Sequence, residues 1–154
     1  MFWRGSAVTP GGKLYFAVNE DTGSIVQATF RDEIDKSFAL RKTSSLHTAC
    51  NQYSDGDLDA FSDFGVEQGG TEFTRAVYTH MRRIPPGSTA SYGELASMAG
   101  FAGAARAVGS ACARNKIVLV VPCHRVVAAQ GIGGYEFGTL IKEKLLRHEG
   151  LDNF

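Results

Sequence analysis

Three things are scarce in these 154 residues: paired cysteines, long apolar runs and an excess of either charge. Cys50, Cys112 and Cys123 are odd in number, widely spaced and never part of a C-x-x-C pair. That pattern excludes a disulfide framework and a zinc module, and it predicts free thiols in a reducing compartment. The run at 117–121 is far too short to span a bilayer. The opening stretch, MFWRGSAVTPGGK, lacks the basic-then-apolar build of a secretory leader. A cytoplasmic location is therefore expected, or a nuclear one in a cell with a nucleus. Sixteen basic side chains balance sixteen acidic ones. The balance is uneven along the chain: residues 1–70 hold 6 basic and 10 acidic residues, and residues 71–154 hold 10 basic and 6 acidic. The second half can attract phosphate while the whole stays neutral.

The first half reads as a small sheet. Two β-rich runs, 14–18 and 24–30, flank the turn cluster Asn-Glu-Asp-Thr-Gly, which predicts a hairpin. Residues 32–42 read as a helix or a further turn. Residues 47–70, rich in Asp, Gly and polar residues, read as a surface loop that ends in a linker at Gly69-Gly70. The domain boundary is placed there, giving domains 1–70 and 71–154.

The second half reads as helical. Phe73, Val77, Met81 and Ile84 form one stripe at helical spacing, and the following Pro-Pro-Gly stops that helix. Ser91 and Glu94 fit a capping box that opens a short helix through Met98. Gly100 breaks it, and GAARAVGSACARN starts another, so the pair suggests a helix-turn-helix. KIVLVV reads as a buried strand, and 140–148 as a last helix.

Two features carry chemistry. The first is the helix around Arg106, where Ala104, Ala105, Ala107, Gly109, Ser110, Ala111 and Ala113 surround one long polar side chain. Small residues let a backbone approach another surface closely, as a narrow minor groove demands, although a tightly packed internal helix has the same composition. The second is PCHRV. A thiolate is a nucleophile, a nearby imidazole can take its proton, and a carboxylate can orient the imidazole. Glu149 and Glu136 are both available for that last task. An inert core thiol is the plain alternative for Cys123.

The combination of SYGELA, RAVG, Asn115, PCHRV, GGY and the closing HEG, in this order from about Phe73 to Gly150, resembles the O6-alkylguanine-DNA alkyltransferases. The resemblance implies a mixed α/β (α+β) fold: a strand-rich N-terminal domain, RNase H-like in the family, and a helical, winged-helix-like C-terminal domain. It implies direct reversal of DNA damage. An O6-alkylguanine, or an O4-alkylthymine, is flipped from duplex DNA on the minor-groove side, and its alkyl group passes irreversibly to Cys123. His124 is then the base, acting through a water, with Glu149 orienting it and Asn115 bracing the site. Tyr92 turns the target phosphate and hydrogen-bonds the guanine. Arg106 fills the gap in the stack, and Ser91, Ala105 and Gly109 also face the DNA. Val126 and Glu136 contact the base through their backbone, and Tyr135 lines the pocket. Phe137 departs from the family, which usually has glycine there: its ring must fold into the pocket or lie along the rim, and the first is expected, which would narrow the substrate site. No cofactor and no metal are implied. The partner is double-stranded DNA, met by a monomer, with several copies able to sit on one duplex.

Two other readings remain open. A damage sensor of the alkyltransferase-like type has the same DNA-binding half without the nucleophile, which Cys123 counts against. A cysteine hydrolase would use Cys, His and Glu but has no need of Arg106.

Overall fold

The computed structural model describes every residue, Met1–Phe154. The chain divides into two compact units. One comprises Met1–Gln68 with Lys116–Val120, the other Gly69–Asn115 with Val121–Phe154. The short segment 116–120 thus leaves the second half of the chain and belongs to the first unit, an excursion the proposed boundary at residue 70 did not include.

The first unit is built on a four-stranded sheet in the order β3-β2-β1-β4. The strands are β1 (Phe2–Thr9), β2 (Gly12–Asn19), β3 (Ile25–Thr29) and the two-residue β4 (Ala39–Leu40). β1 and β2 are antiparallel, closing from Phe2↔Asn19 to Thr9↔Gly12 around Pro10-Gly11. β2 and β3 form the hairpin expected from sequence, and β4 joins β1 in parallel. β1 was not foreseen. Its buried face carries Trp3, Gly5 and Thr9, and a glycine in that row hides the alternation by which strands are read.

The helix α1 (Ser45–Ser54) replaces the first third of the loop expected over 47–70. Its N-cap, Ser44, accepts hydrogen bonds from the Leu46 and His47 amides. Leu46, Ala49, Cys50 and Tyr53 form its buried stripe. The stripe is short-chained between its two large ends, and the polar face is rich in turn-forming residues, which together read as loop. α1 lies on β1, with the His47 ring stacked on Trp3 at 6.3 Å and edge-on to Phe16 at 5.0 Å. KIVLVV is buried as expected but is not a strand. Ile117 makes one parallel bridge to Ala28. The chain then turns through Leu119, which has a φ of 71°. A non-glycine residue in that region is held by its surroundings, and Leu119 is 2% exposed.

In the second unit α2 (Glu72–Met81), α3 (Tyr92–Met98) and α4 (Ala105–Ala113) pack together, followed by α5 (Thr139–His148). The Ser91–Glu94 capping box forms as expected. Phe73 and Phe101 meet edge to face at 4.9 Å, fixing the turn between α3 and α4 against α2. A parallel pair, β5 (Ala90–Ser91) with β6 (Val126–Val127), ties the start of α3 to the chain just after Cys123. No helix is long and apolar enough to cross a membrane.

Gly5 tests the packing of the first unit. A Cβ there would lie 2.7 Å from the His47 ring and 2.8 Å from the Phe16 ring. Gly5→Ala is expected to destabilise the protein by about 1–3 kcal/mol through overpacking. Urea unfolding measures it, and an unchanged midpoint would show that the rings yield freely.

Candidate active site

The Pro122 turn decides where the two reactive side chains point. Cys123, His124 and Arg125 form one turn of 3-10 helix rather than a strand. In a strand, neighbouring side chains diverge to opposite faces. Here the turn leaves Cys123 on a cavity of about 290 Å³ and carries His124 into the protein, where it is fully buried. The cavity is near the lower end of the range for small-molecule sites, about 300–1,000 Å³.

The walls come from three places. Gly109, Cys112 and Ala113 are the inner face of α4, Tyr92 is the first residue of α3, and Gly134, Tyr135 and Glu136 belong to the loop before α5. The β5–β6 pairing brings Tyr92 beside the Cys123 turn. Gly133 lets the loop settle on Tyr92: its φ is +75°, and a Cβ there would meet the Tyr92 hydroxyl at 2.8 Å.

Behind the cavity sits a buried polar layer. His124 donates from Nε2 to Glu149 Oε2 at 2.9 Å. Arg125 forks onto the same carboxylate, from Nε to Oε1 at 2.8 Å and from its second terminal nitrogen to Oε2 at 3.1 Å. Its remaining nitrogen donates to the Ile84 carbonyl at 2.8 Å. Burial alone would raise the Glu149 pKa. Hydrogen bonds and charge from His124 and Arg125 outweigh burial and hold it far below the usual carboxylate range. Burial lowers the His124 pKa, against the opposing pull of Glu149. An ionised Glu149 can only accept, so Nε2 carries the proton and Nδ1 the lone pair. Nδ1 is buried and has no hydrogen-bond partner.

Burial also raises the Cys123 pKa, so the resting group is a thiol. The Asn115 and Tyr135 side chains and the charge of Lys142 oppose that shift. Asn115 also donates to the Val121 carbonyl at 2.8 Å, which pins the turn leading into Cys123. Burial raises the Tyr92 pKa, opposed by a backbone hydrogen bond from Gly134.

The structure therefore gathers Cys123, Tyr92, Tyr135, Glu136 and Gly109 on one cavity, with His124, Asn115 and Glu149 behind it. Of the two carboxylates left open by sequence, Glu149 meets the histidine. Val126 is wholly buried and is not a wall residue. Phe137 departs from expectation. Its ring packs edge-on against Tyr135 at 5.7 Å and is not on the cavity wall. Ser91, Ala105 and Arg106 lie off the cavity; Ser91 caps α3, and Arg106 is exposed on α4. Arg125, Cys112 and Lys142 were given no role by sequence. Arg125 had a signal, since a carboxylate buried beside a histidine calls for a fixed cation.

The family model for the DNA-binding domain of 6-O-methylguanine DNA methyltransferase matches residues 72–151. The chain belongs to that family. Among curated relatives, it is 48% identical to the methylated-DNA–protein-cysteine methyltransferase of Salmonella typhimurium over 122 residues, 79% of this chain and 71% of that one. The Shigella flexneri protein of the same name is 41% identical over the same shares. In solved structures, the chain superposes on Mycobacterium tuberculosis OGT in complex with DNA with a TM-score of 0.83 and 33% identity, covering 95% of this chain and 91% of that one. For this methyltransferase-family chain, the likeness to the OGT structure extends over the sheet unit as well as the residues the family model matches.

Arg125→Met removes the fixed cation from a buried carboxylate. A loss of stability of about 3–5 kcal/mol is expected. The pH profile should change as well. A carboxylate with a depressed folded pKa contributes stability that is complete above its unfolded pKa, about 4.3, and is lost as pH falls through the folded value. In the variant that loss should begin at a higher pH. Acid unfolding followed by circular dichroism tests it, and identical acid midpoints would remove Arg125 from this role.

Proposed function

We propose that this chain repairs double-stranded DNA by direct reversal, transferring the alkyl group of an O6-alkylguanine irreversibly to Cys123 in a single turnover. The observation that carries the reading is the Cys123 thiol on a base-sized cavity, backed by a neutral histidine whose lone pair is on Nδ1 and whose Nε2 is fixed on Glu149. Names of relatives agree: the Salmonella and Shigella proteins are methylated-DNA–protein-cysteine methyltransferases.

The resting thiol must lose its proton before it reacts. His124, neutral through burial, can accept that proton at Nδ1 through a water, and Glu149 stabilises the imidazolium that results. The sulfur then attacks the alkyl carbon. The S–C bond forms as the C–O6 bond breaks, and the bonding pair goes to the guanine. The Tyr92 hydroxyl, on the cavity wall, is placed to hydrogen-bond the leaving base and offset that charge. A thioether is not displaced by water, so each molecule acts once.

Flipping a base costs a few kcal/mol of stacking and pairing. Arg106 is assigned to the vacated stack: it is exposed on α4 among the small residues Ala107 and Ser110, which are exposed with it. Phosphate attraction by the basic second half contributes the rest. A monomer suffices for this chemistry, and a cytoplasmic location fits the free thiols.

Intact mass after mixing with a duplex containing one O6-methylguanine tests the reading, with peptide mapping of the adduct. One methyl group on Cys123 is expected. Binding without an adduct would indicate a damage sensor, and ester turnover without binding a hydrolase. Cys123→Ser should abolish transfer and leave duplex affinity nearly unchanged. Arg106→Ala should slow repair in duplex far more than reaction with free O6-benzylguanine, because only the duplex leaves a gap to fill. Equal losses on both substrates would place Arg106 in the pocket's support instead.

A further inference from the structure

One buried charge is unused by that mechanism. Lys142, on α5, is fully buried, yet lysine is almost never so unless it is paired. Its ammonium donates to the Val126 carbonyl at 2.7 Å and to the Gly134 carbonyl at 2.9 Å. Val126 opens β6, directly after the Cys123 turn. Gly134 precedes Tyr135 and Glu136 in the loop that walls the cavity. One cation thus spans the two segments between which the pocket wall is set.

We propose that Lys142 is a positioning residue, pinning the loop that carries Tyr135 and Glu136 to the strand after the nucleophile and placing a positive charge behind the Cys123 thiol. A side chain without donors would leave the buried Val126 carbonyl and the partly buried Gly134 carbonyl without this partner, and an unmade buried hydrogen bond is costly. The loop would then shift, and with it Tyr135, which lines the cavity beside Cys123. The charge acts in the same direction. Burial lowers the Lys142 pKa, and the Cys123 and Cys112 thiols oppose that shift. The other titratable groups facing this region are His124, paired with Glu149 and Arg125, the Glu136 carboxyl on the cavity wall, and the hydroxyls of Tyr78, Tyr92 and Tyr135. Of the basic side chains here, Arg125 is committed to Glu149, so Lys142 is the cation that acts on the thiol. The assignment rests on the alkyl-transfer reading for its biological meaning, but not for its test.

The test compares wild type with Lys142→Met and Lys142→Arg. Thermal melting first establishes folding. Modification of Cys123 by iodoacetamide is then followed against pH by peptide mass. This arm needs no guanine substrate, so it stands even if wild type fails to take methyl from an O6-methylguanine duplex. In the Met variant the midpoint for Cys123 should move to higher pH, loop 131–138 should be cut faster by a nonspecific protease, and methyl transfer should slow on the order of tenfold. The Arg variant, which keeps the charge and the donors, should restore most of the midpoint and the loop's resistance. A Met variant with wild-type midpoint and loop resistance overturns the proposal. If the Met variant does not fold, the Arg variant decides alone: a folded Arg variant must keep most of the wild-type midpoint and loop resistance, and one that keeps neither overturns the proposal.

Discussion

Everything at this site depends on the carboxylate of Glu149 staying ionised where water does not reach. A lone buried carboxylate would protonate. Arg125 prevents that by giving it a permanent, two-point partner. The ion pair is neutral as a whole, so His124 need not be charged to balance it. A histidine facing an uncompensated carboxylate would be an imidazolium at rest and useless as a base. Arg125 therefore sets the proton state of His124 without touching it. The helix α5 supplies the geometry: Glu149 follows its last turn, its amide bonding to the Leu145 and Leu146 carbonyls. The length of α5 thus fixes where the carboxylate meets the ring.

Two thiols line the cavity, and the structure distinguishes them. Cys112 is pushed up to about 12, first by burial and then by Cys123. It has no hydrogen bond from a neighbouring side chain to offset that. Cys123 is also raised by burial, but the Asn115 and Tyr135 side chains oppose that shift, and it adjoins His124 in sequence. Cys112 is wall, and Cys123 is the group that can react. A thiol that rests protonated and enclosed is spared stray electrophiles, which on the proposed reading matters because each molecule acts once.

Short motifs with their own mechanism were the legible part of the sequence. The Ser91–Glu94 box, the helix stripe from Phe73 and the glycine-broken helix pair each contain their cause within a few residues, and each is present in the structure. So was the His124–Glu149 contact, because the resemblance joins segments that local reading cannot. What stayed hidden depends on partners distant in sequence. β1 is a strand because Gly5 admits the rings of Phe16 and His47. α1 is a helix because the sheet covers its short apolar stripe. Residues 117–121 are apolar enough for a strand, yet Leu119 reverses the chain after a single bridge to Ala28. The Phe137 ring could not be placed from composition, since what decides it is the neighbouring Tyr135 ring two positions away.

α4 shows how one composition serves two surfaces. Its inner face, Gly109, Cys112 and Ala113, recurs at three and four residues and borders the cavity. Its outer face carries Arg106, Ala107 and Ser110, all exposed. A large residue on the inner face would fill the space a base needs. On the proposed reading, one on the outer face would hold the helix away from a duplex, and with it the cavity that would receive a flipped nucleotide. The helix is anchored by Val108 and Ala111, both wholly buried, and by the Tyr78 hydroxyl donating to the Ala111 carbonyl at 2.8 Å. On the proposed reading, that anchor keeps the helix rigid, so that Arg106 in the stack and Cys123 in the pocket are held at a fixed separation.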